Sequence, residues 1–376
     1  MPLPARKSPA AASRAGFKIF VTGICGFAGS VIVRSLLAHR TGLRISGIDN
    51  LTRRGSETNL ELLRELGCEI HIADIRDRKF LETLAPADWI IDCAANPSVL
   101  AGVDGSPSRD LVDQNLYGTV NLLELCKTWK AGFTLLSTSR VYSIPELASL
   151  PIAPAGERFA LPPGAAGPGW SERGIAEDFS IAPPVSLYGS TKLCSEWLAL
   201  EYGGAFGFPV WINRCGVLAG GGQFGKADQG IFSYWIHSWN AKRPLKYIGF
   251  GGSGLQVRDC LHPRDLSPLL LAQIDSPSEG KPRTVNLAGG IGNSMSLREL
   301  SGWCANAFGP APRLSDPAHI STDRSGRPFD IPWAVLDSSL AASAWGWTPS
   351  TTLPEILEEI RTHAELNPEW LQLVAD

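Results

Sequence analysis

A glycine-rich turn near the N-terminus constrains the fold of this 376-residue chain more than any other feature. The apolar run KIFVT over residues 18–22 leads into TGICGFAG, and a helical pattern through VIVRSLLAHR follows. Glycines at 23, 26 and 29 allow a tight turn, close approach of the backbone to a pyrophosphate, and close packing of helix on strand. Phosphates then lie at the positive N-terminus of the helix. This predicts a dinucleotide-binding unit; an ordinary glycine-rich turn is the alternative.

The alternation of strands and helices continues along the chain. Apolar runs such as LRISGIDN, DWIIDCAA and FTLLSTS are separated by helical stretches, a pattern typical of an α/β fold with a Rossmann-type doubly wound parallel sheet. After about residue 220 the alternation weakens, which predicts a smaller C-terminal α/β substrate lobe. We expect a disordered tail over 1–16, a dinucleotide-binding domain over 17–215, and a lobe over 216–376 that mainly binds the substrate. Within the first domain, the Pro/Gly/Ala-rich stretch 144–184 predicts a long surface loop beside the active site.

Acidic residues follow the next two predicted strands. Asp49 lies about twenty residues after the last glycine of the turn, where a carboxylate accepts hydrogen bonds from ribose hydroxyls and repels a 2′-phosphate. This favours NAD over NADP, although Arg53 and Arg54 keep NADP as an alternative. Asp74 follows a third strand, EIHIA, and is either an adenine-side residue or an exposed acid at a strand end.

A tyrosine and a lysine provide the candidate acid–base chemistry. Tyr188 and Lys192 in YGSTK are four residues apart, so they share one face of a helix. Positive charge nearby lowers the pKa of a phenol, and Tyr188 can then act as general base and acid on a hydroxyl. The YxxxK pattern also occurs by chance, but a strand ending in Ser137-Thr138-Ser139 offers a hydroxyl to share the substrate proton.

These motifs, in this order and spacing, resemble the extended short-chain dehydrogenase/reductase family of sugar-nucleotide epimerases and dehydratases. The resemblance rests on TGxxGxxG, STSRVY and YGSTK and extends from about Lys18 to Glu365. In the second part of the chain, QVRDCLH is similar to the family's VRDxxH stretch, and Arg327 precedes Asp337 by the spacing of its second phosphate-binding arginine. For Arg258, in the first of these stretches, and for Arg327, the alternative is that each is a solvated surface residue.

The resemblance implies an NAD cofactor, a nucleotide-sugar substrate, and a role for each matching residue. The implied catalytic residues are Thr138, Tyr188 and Lys192. The implied cofactor-binding residues are Gly23, Cys25, Gly26, Phe27, Gly29, Asp49, Asn50, Asp74, Ile75, Ala94, Ala95, Asn115, Tyr188 and Lys192. The implied substrate-binding residues are Asn96, Thr138, Arg214, Gln229, Gln256, Arg258 and Arg327, so that 216–376 becomes mainly a sugar-nucleotide-binding lobe.

Two local features narrow the reaction that the resemblance implies. Ser139 and Arg140 stand where the family's dehydratases carry Asp-Glu, which argues against water elimination and against decarboxylation. The stretches CGFAGS, DNLTRRGS, GGGQFGKADQGIFSYW and GLQVRDCLHPRDL are similar to epimerases that invert C2 of CDP-linked 3,6-dideoxyhexoses. The alternatives are a 4-epimerase or 4-keto reductase of a UDP- or dTDP-sugar, and a non-catalytic NAD-sensing or binding protein of the same fold.

Composition limits the partners and the compartment. A net charge of −3 gives no reason to expect nucleic acid or an anionic membrane surface as a partner, and no apolar run approaches the ~20 residues that span a bilayer. Eight scattered cysteines without CxxC spacing indicate reduced thiols in the cytoplasm. The six histidines lack metal-ligand spacing, so no metal is expected. The resemblance implies a homo-oligomer, a dimer or a tetramer, assembled through the helix at 109–130 and the YGSTK helix.

Overall fold

The computed structural model describes residues 16–226, 229–276, 280–309, 320–323 and 329–374. The predicted disordered tail over 1–16 therefore lies outside the described residues, apart from Gly16, whose amide donates to the Gly42 carbonyl. Arg327 also lies outside them.

The strands and helices follow in chain order. The strands are β1 (Lys18–Thr22), β2 (Arg44–Asp49), β3 (Glu69–Ile72), β4 (Trp89–Asp92), β5 (Gly132–Thr138), β6 (Ala153–Ala155), β7 (Arg158–Ala160), β8 (Ala166–Gly167), β9 (Trp170–Ser171), β10 (Gly174–Ile175), β11 (Val210–Cys215), β12 (Leu245–Ile248), β13 (Val257–Asp259), β14 (Thr284–Leu287), β15 (Ser294–Ser296), β16 (Ile320–Asp323) and β17 (Trp333–Ala334). The helices are α1 (Phe27–His39), α2 (Glu57–Glu65), α3 (Arg78–Leu81), α4 (Ser108–Val112), α5 (Gly118–Trp129), α6 (Ile144–Ala148), α7 (Ser186–Phe206), α8 (Ile231–Asn240), α9 (Leu266–Asp275), α10 (Leu297–Phe308), α11 (Ser339–Trp345), α12 (Leu353–Leu366) and α13 (Trp370–Leu373).

A seven-stranded parallel sheet forms the centre of the molecule. Its strand order is β14-β11-β5-β4-β1-β2-β3, and every neighbouring pair runs parallel. The order reverses between β1 and β4, where a doubly wound sheet opens a crevice at its carboxyl edge. The predicted Rossmann-type α/β fold is confirmed.

Both faces of this sheet are buried, which explains why its strands read as continuous apolar runs. Ile19 and Val21 belong to one core cluster with α1, α9 and α11, whereas Phe20 belongs to the cluster on the opposite face with α5 and α7. The strand period of two residues sends successive side chains to opposite faces. The turn after β1 is thereby held rigidly between two packed layers.

The chain returns to the large sheet after it has begun the second lobe. Strand β14 pairs with β11 at the sheet edge, and α9 and α11 pack on the same face as α1. The remaining elements form smaller sheets, β15-β13-β17 and β12-β16, with α8, α10 and α12 around a separate core. The division at 215/216 stays a prediction, but the topology places 266–287 and 339–345 with the large sheet.

The stretch 144–184 departs from the expected irregular loop. It contains α6 and two small antiparallel sheets, β6-β7 and β10-β9-β8. Phe179 is buried and stacks edge-on against Tyr142 at 5.9 Å, in a cluster that also holds Trp333 of the second lobe. The Ile175 amide donates to the Val335 carbonyl, and the Arg158 guanidinium pairs with the Glu299 carboxylate at 3.0 Å. Sparse apolar residues thus give this insert a core shared with both lobes, although it lacks a helix or strand period.

Replacing Phe179 by Ala should lower the free energy of unfolding by about 3–5 kcal/mol, because the change leaves a cavity in the core that joins insert and lobes. Urea unfolding followed by tryptophan fluorescence measures this. Phe206, which is 48% exposed, is the matched control, and F206A should cost less than about 1 kcal/mol. Equal losses for the two variants would show that the insert is only loosely attached.

Candidate active site

The glycine turn between β1 and α1 leaves no room for side chains. Gly23 has φ +60°, and a Cβ added there would lie 3.0 Å from the Cα of Ala94. A Cβ added at Gly29 would lie 2.2 Å from the Gly23 carbonyl oxygen, and one at Gly26 would lie 3.1 Å from it. The first two turns of α1 can therefore approach β1 and β4 only because these positions are glycine. The amides at the start of α1 then face the crevice at the sheet's carboxyl edge.

Asp49 at the end of β2 ties the next strand to this turn. Its carboxylate accepts hydrogen bonds from the amides of Cys25 at 3.0 Å and Leu51 at 2.9 Å. Burial raises the pKa of Asp49, and the amide hydrogen bonds oppose that shift. Phe27, the first residue of α1, completes the turn.

Polar residues continue along the edge beyond β2 and β3. The side-chain amide of Asn50 donates to Asp74 at 2.9 Å. Arg76 donates two further hydrogen bonds to the same carboxylate, at 2.8 and 2.9 Å. These bonds to Arg76 lower the pKa of Asp74 to about 2. Ile75 follows directly, with its side chain against Gly118 of α5. Arg53 donates to the Phe224 carbonyl of the second lobe.

The end of β4 is held by residues that sequence reasoning did not single out. The buried carboxylate of Asp92 accepts from the hydroxyls of Thr22 at 2.7 Å and Thr119 at 2.8 Å. The Thr22 hydroxyl in turn accepts from the amides of Cys93 and Ala94, both at 3.1 Å. Ala95, the next residue, is exposed. An acid at the last position of a buried strand was the signal that would have found Asp92.

Asn115 lies in a π-helical turn, Asp113–Tyr117, between α4 and α5. Its side-chain oxygen accepts from the Asn96 amide at 2.8 Å, and its side-chain nitrogen donates to the Asn96 carbonyl at 3.0 Å and to the Thr191 hydroxyl at 3.3 Å. π-Turns of this kind are often found at functional sites. Asn115 thus connects the loop after β4 to the helix that carries the candidate acid–base pair.

The three predicted catalytic residues come together at the carboxyl end of β5. Thr138 ends that strand, and its hydroxyl lies close enough to the Tyr188 phenol to lower the pKa of that phenol. Tyr188 and Lys192 are both buried on α7. The packing of α7 against the end of β5 requires glycine at position 189, because a Cβ there would lie 2.3 Å from the Arg140 carbonyl oxygen just past β5. A glycine inside YGSTK therefore lets the helix approach the strand.

Burial disfavours the charged forms of both groups. It raises the pKa of Tyr188, against the hydrogen bond from Thr138, and it lowers the pKa of Lys192, against the negative charges of Asp92 and Glu196. A second positive charge beside the phenol would bring its pKa down. The predicted acid–base role of Tyr188 therefore requires positive charge beside the phenol to offset the effect of burial.

A buried ion pair lies one helical turn beyond Lys192. Glu196 binds Arg214 of β11 at 2.7 Å and accepts from the Ser137 hydroxyl at 2.5 Å. Arg214 also donates to the Tyr142 hydroxyl at 3.3 Å and to the Glu177 carbonyl of the insert at 3.2 Å. The spacing Tyr188, Lys192, Glu196 is i, i+4, i+8, and this was the available signal for Glu196.

Arg214 is the predicted substrate-binding residue whose geometry fits that role least. Four of its five N–H groups have partners among Glu196, Tyr142 and Glu177, so few donors remain for a phosphate or sugar. Its substrate-binding role stays a prediction, but the contacts describe a residue that fixes β11 to α7.

Two further predicted residues lie at strand β13 of the second lobe: Gln256 just before it and Arg258 within it. Gln256 is buried and its side-chain oxygen has no hydrogen-bond partner, while its nitrogen donates to the Ile248 carbonyl at 3.4 Å. Arg258 pairs with Asp330 at 3.3 Å. Between β13 and β11, the buried carboxylate of Asp259 accepts from the amides of Val217 at 3.2 Å and Leu336 at 2.8 Å. Asp259, which sequence reasoning did not select, therefore aligns the two lobes.

Gln229 pairs through its backbone with Lys226, next to the undescribed residues 227–228, and Arg327 cannot be placed. Among the described residues, no group of three or more His, Cys, Asp or Glu side chains is placed to hold a metal ion, and no helix has both the length and the hydropathy to cross a membrane.

Gly29→Ala should abolish dinucleotide retention, because its Cβ would push α1 away from the turn at which the phosphates bind. The bound dinucleotide released on denaturation, measured by absorbance and chromatography, should fall at least about tenfold. Gly204→Ala in α7 is the control, since a Cβ there meets nothing within 4 Å. Full retention in G29A would contradict the assigned role of the turn.

Glu196→Gln should cost about 3–5 kcal/mol of unfolding free energy, because it leaves the Arg214 cation buried without its counter-charge. The double variant Glu196→Gln/Arg214→Met should lose less than E196Q alone, as measured by urea unfolding. Glu365→Gln, which affects an exposed pair with Arg361, should stay within about 0.5 kcal/mol. Equal effects of E196Q and E365Q would refute the importance of the buried pair.

Known proteins are similar to this chain in sequence and in fold. The profile of the NAD dependent epimerase/dehydratase family matches residues 19–288. CDP-paratose 2-epimerase of Salmonella typhi is 29% identical over 296 residues, which cover 75% of this chain and 82% of that protein. UDP-glucuronate 4-epimerase of Thermodesulfobacterium geofontis is 26% identical over 367 residues, covering 94% and 98%.

The solved structures agree with the family at the level of fold. UDP-glucuronic acid 4-epimerase from Bacillus cereus, in complex with UDP-glucuronic acid and NAD, superposes with a TM-score of 0.74 at 24% identity and covers 93% of this chain and 99% of that one. The resemblance to extended short-chain dehydrogenase/reductases is confirmed, and so is NAD as cofactor. The residues that meet at the edge of the sheet suit it: a side-chain-free turn for the pyrophosphate, Asp49 for the ribose, and Tyr188 with Lys192 for the nicotinamide end. This chain belongs to the NAD dependent epimerase/dehydratase family.

Proposed function

We propose that this protein is a nucleotide-sugar epimerase that inverts C2 of a CDP-linked 3,6-dideoxyhexose, converting CDP-paratose to CDP-tyvelose through a transient keto sugar. The placement of the Thr138 hydroxyl beside the Tyr188 phenol, with Lys192 one turn further along α7, carries the epimerase part of the proposal. The similarity to CDP-paratose 2-epimerase supports the choice of substrate.

The reaction divides into proton and hydride transfers. NAD supplies the reversible acceptance of a hydride from a carbinol carbon. Tyr188 removes the proton of the sugar hydroxyl and returns it, and the neighbouring hydroxyl of Thr138 orients that sugar hydroxyl. Lys192 holds positive charge near the phenol and so favours its ionised form. The keto sugar must turn over between the two halves of the reaction for the configuration to invert.

The end of β5 supports epimerisation over dehydration. Elimination of water needs an acid and a base beside the sugar. Ser139 and Arg140 occupy the two positions after Thr138. The Arg140 amide donates to the Thr138 hydroxyl at 3.2 Å, and its guanidinium donates to the Phe329 carbonyl at 3.1 Å. Neither residue supplies a carboxyl group, although relatives of this chain include dTDP-glucose 4,6-dehydratases.

The second lobe supplies the groups that we assign to the nucleotide. The planar guanidinium of Arg258 suits a diphosphate, and we assign Arg327 as the second arginine that binds this diphosphate. Gln256 offers a buried carbonyl oxygen without a partner, which suits a donor group on the substrate. Asn96 lies beside Asn115 on the cofactor side, and Gln229 lies on the loop before α8.

A second candidate is a 4-epimerase or 4-keto reductase of a UDP- or dTDP-sugar. The similarity to UDP-glucuronate 4-epimerase favours it, because that similarity covers 94% of this chain. A non-catalytic NAD-binding protein is disfavoured by the intact contact between Thr138 and Tyr188.

The proposed enzyme is a cytoplasmic homo-oligomer. All eight cysteines are free thiols, as expected in a reducing compartment that holds NAD and nucleotide sugars. Tyr117, Leu187 and Trp197 are large, exposed and carried on or next to α5 and α7, the helices through which the resemblance implies assembly. We propose a dimer or tetramer through this face, without nucleic acid or membrane as partner.

Incubation of the purified protein with CDP-paratose, without added cofactor, should produce sugar proton signals with inverted C2 geometry in the NMR spectrum. Tyr188→Phe should slow this reaction at least about 10²-fold, since it removes the proton-transfer group, whereas Tyr234→Phe should retain it. Tyr234 packs in the second lobe, away from the catalytic residues.

Two outcomes would overturn the proposal at different levels. Epimerisation of a UDP- or dTDP-sugar at C4, with CDP-paratose untouched, would replace the substrate and keep the reaction class. Bound NAD without turnover of any nucleotide sugar would favour the binding protein.

A further inference from the structure

A cavity of about 720 Å³ lies between the first helices of the nucleotide-binding domain and the C-terminal helices. Its walls come from α1, the start of α2, the loop at 221–222, and the segment from α12 to α13. None of the catalytic residues lines it, and the volume is in the range of small-molecule sites. The proposed epimerase reaction leaves this cavity without a role.

Part of the cavity wall is aromatic and apolar. Phe27 and Val31 of α1 face Trp370, which is buried and 4.7 Å from the His363 ring, centroid to centroid. The Trp370 indole nitrogen is already bonded to the Gln223 carbonyl at 2.9 Å, so its ring presents carbon atoms to the cavity. These walls suit a planar apolar or aromatic body.

The cavity wall also carries the guanidinium of Arg34. Arg34, two turns along α1 from Phe27, donates through Nε to the Ser30 carbonyl at 3.3 Å, and it forms no ion pair with a carboxylate of the described residues. Its nearest acid, Glu359, is engaged by His262 at 3.1 Å and Arg264 at 2.7 Å. Arg34 is therefore available to a carboxylate or another oxyanion.

His363 contributes a directed acceptor. The His237 Nδ1 lies 2.8 Å from the Ser233 carbonyl, which only accepts, so Nδ1 of His237 carries the proton. Its Nε2 then accepts from Nδ1 of His363 at 3.0 Å. In the neutral pair, Nε2 of His363 is left with a lone pair beside Gly222 on the cavity wall. Burial lowers the pKa of both imidazoles, which agrees with this neutral arrangement.

We propose that this cavity is a second binding site, specific for a small aromatic acid that carries an N–H or O–H donor. The acid pairs with Arg34, the ring lies against Phe27 and Trp370, and the donor reaches Nε2 of His363. The site borders the cofactor turn, because Asn59 on its wall donates to the Cys25 carbonyl at 2.9 Å. Binding is therefore best measured with NAD already saturating the protein.

Indole-3-carboxylate is a suitable probe, because it combines an acid, a planar ring and an N–H donor. Calorimetric titration of the full-length, NAD-saturated protein should show one site per chain. Indole-3-carboxamide, which lacks the charge, and 1-methylindole-3-carboxylate, which lacks the donor, should each bind at least about tenfold more weakly.

Variants locate the site. Arg34→Gln should weaken the binding of indole-3-carboxylate at least about tenfold. Arg361→Gln should leave this binding unchanged, because Arg361 lies on an exposed face of α12 and pairs with Glu358 and Glu365. Leu373→Trp should block the mouth, because Leu373 lines the cavity and is 45% exposed. No binding of the probe, equal affinity for acid and amide, or an R34Q affinity equal to wild type would each overturn the proposal.

Discussion

The close approach of backbone segments at the carboxyl edge of the parallel sheet is the constraint on which the rest of the molecule depends. The turn at 23–29 fits between β1, β4 and α1 only because its glycines carry no Cβ, and Gly189 lets α7 approach β5 in the same way. Both contacts bring polar backbone groups to one crevice. The glycine turn and the placement of the predicted acid–base pair thus both depend on the same packing requirement.

Buried charges stabilise this edge from behind. Asp92 at the end of β4 accepts from one threonine hydroxyl of β1 and one of α5, Asp259 joins β13 to the segment after β11, and the pair Glu196 and Arg214 connects α7 to β11 and to the insert. Each charge is satisfied by several hydrogen bonds, as burial in a low dielectric requires. Helix α7, which carries the predicted acid–base pair, is therefore held to the sheet by buried polar contacts.

The insert at 144–184 connects the two lobes. Its small sheets give it a core around Phe179, and its contacts reach β5, α7 and the second lobe. The backbone carbonyl of Glu177 in the insert accepts a hydrogen bond from Arg214. The insert therefore packs beside the end of β5 and α7, the two elements that carry the predicted catalytic residues.

The sequence by itself determined the parallel α/β fold, the glycine turn, NAD, and the family, because these depend on local periodicity and on residues close together in the chain. It also indicated Thr138 on β5 and Tyr188 with Lys192 on α7, two elements that the tertiary structure packs against each other. Only the tertiary structure decided the order of the insert, the return of β14 to the sheet and the partners of Arg214. These depend on contacts between residues far apart in sequence, such as Glu196 with Arg214 and Ile175 with Val335, and no local pattern encodes such contacts.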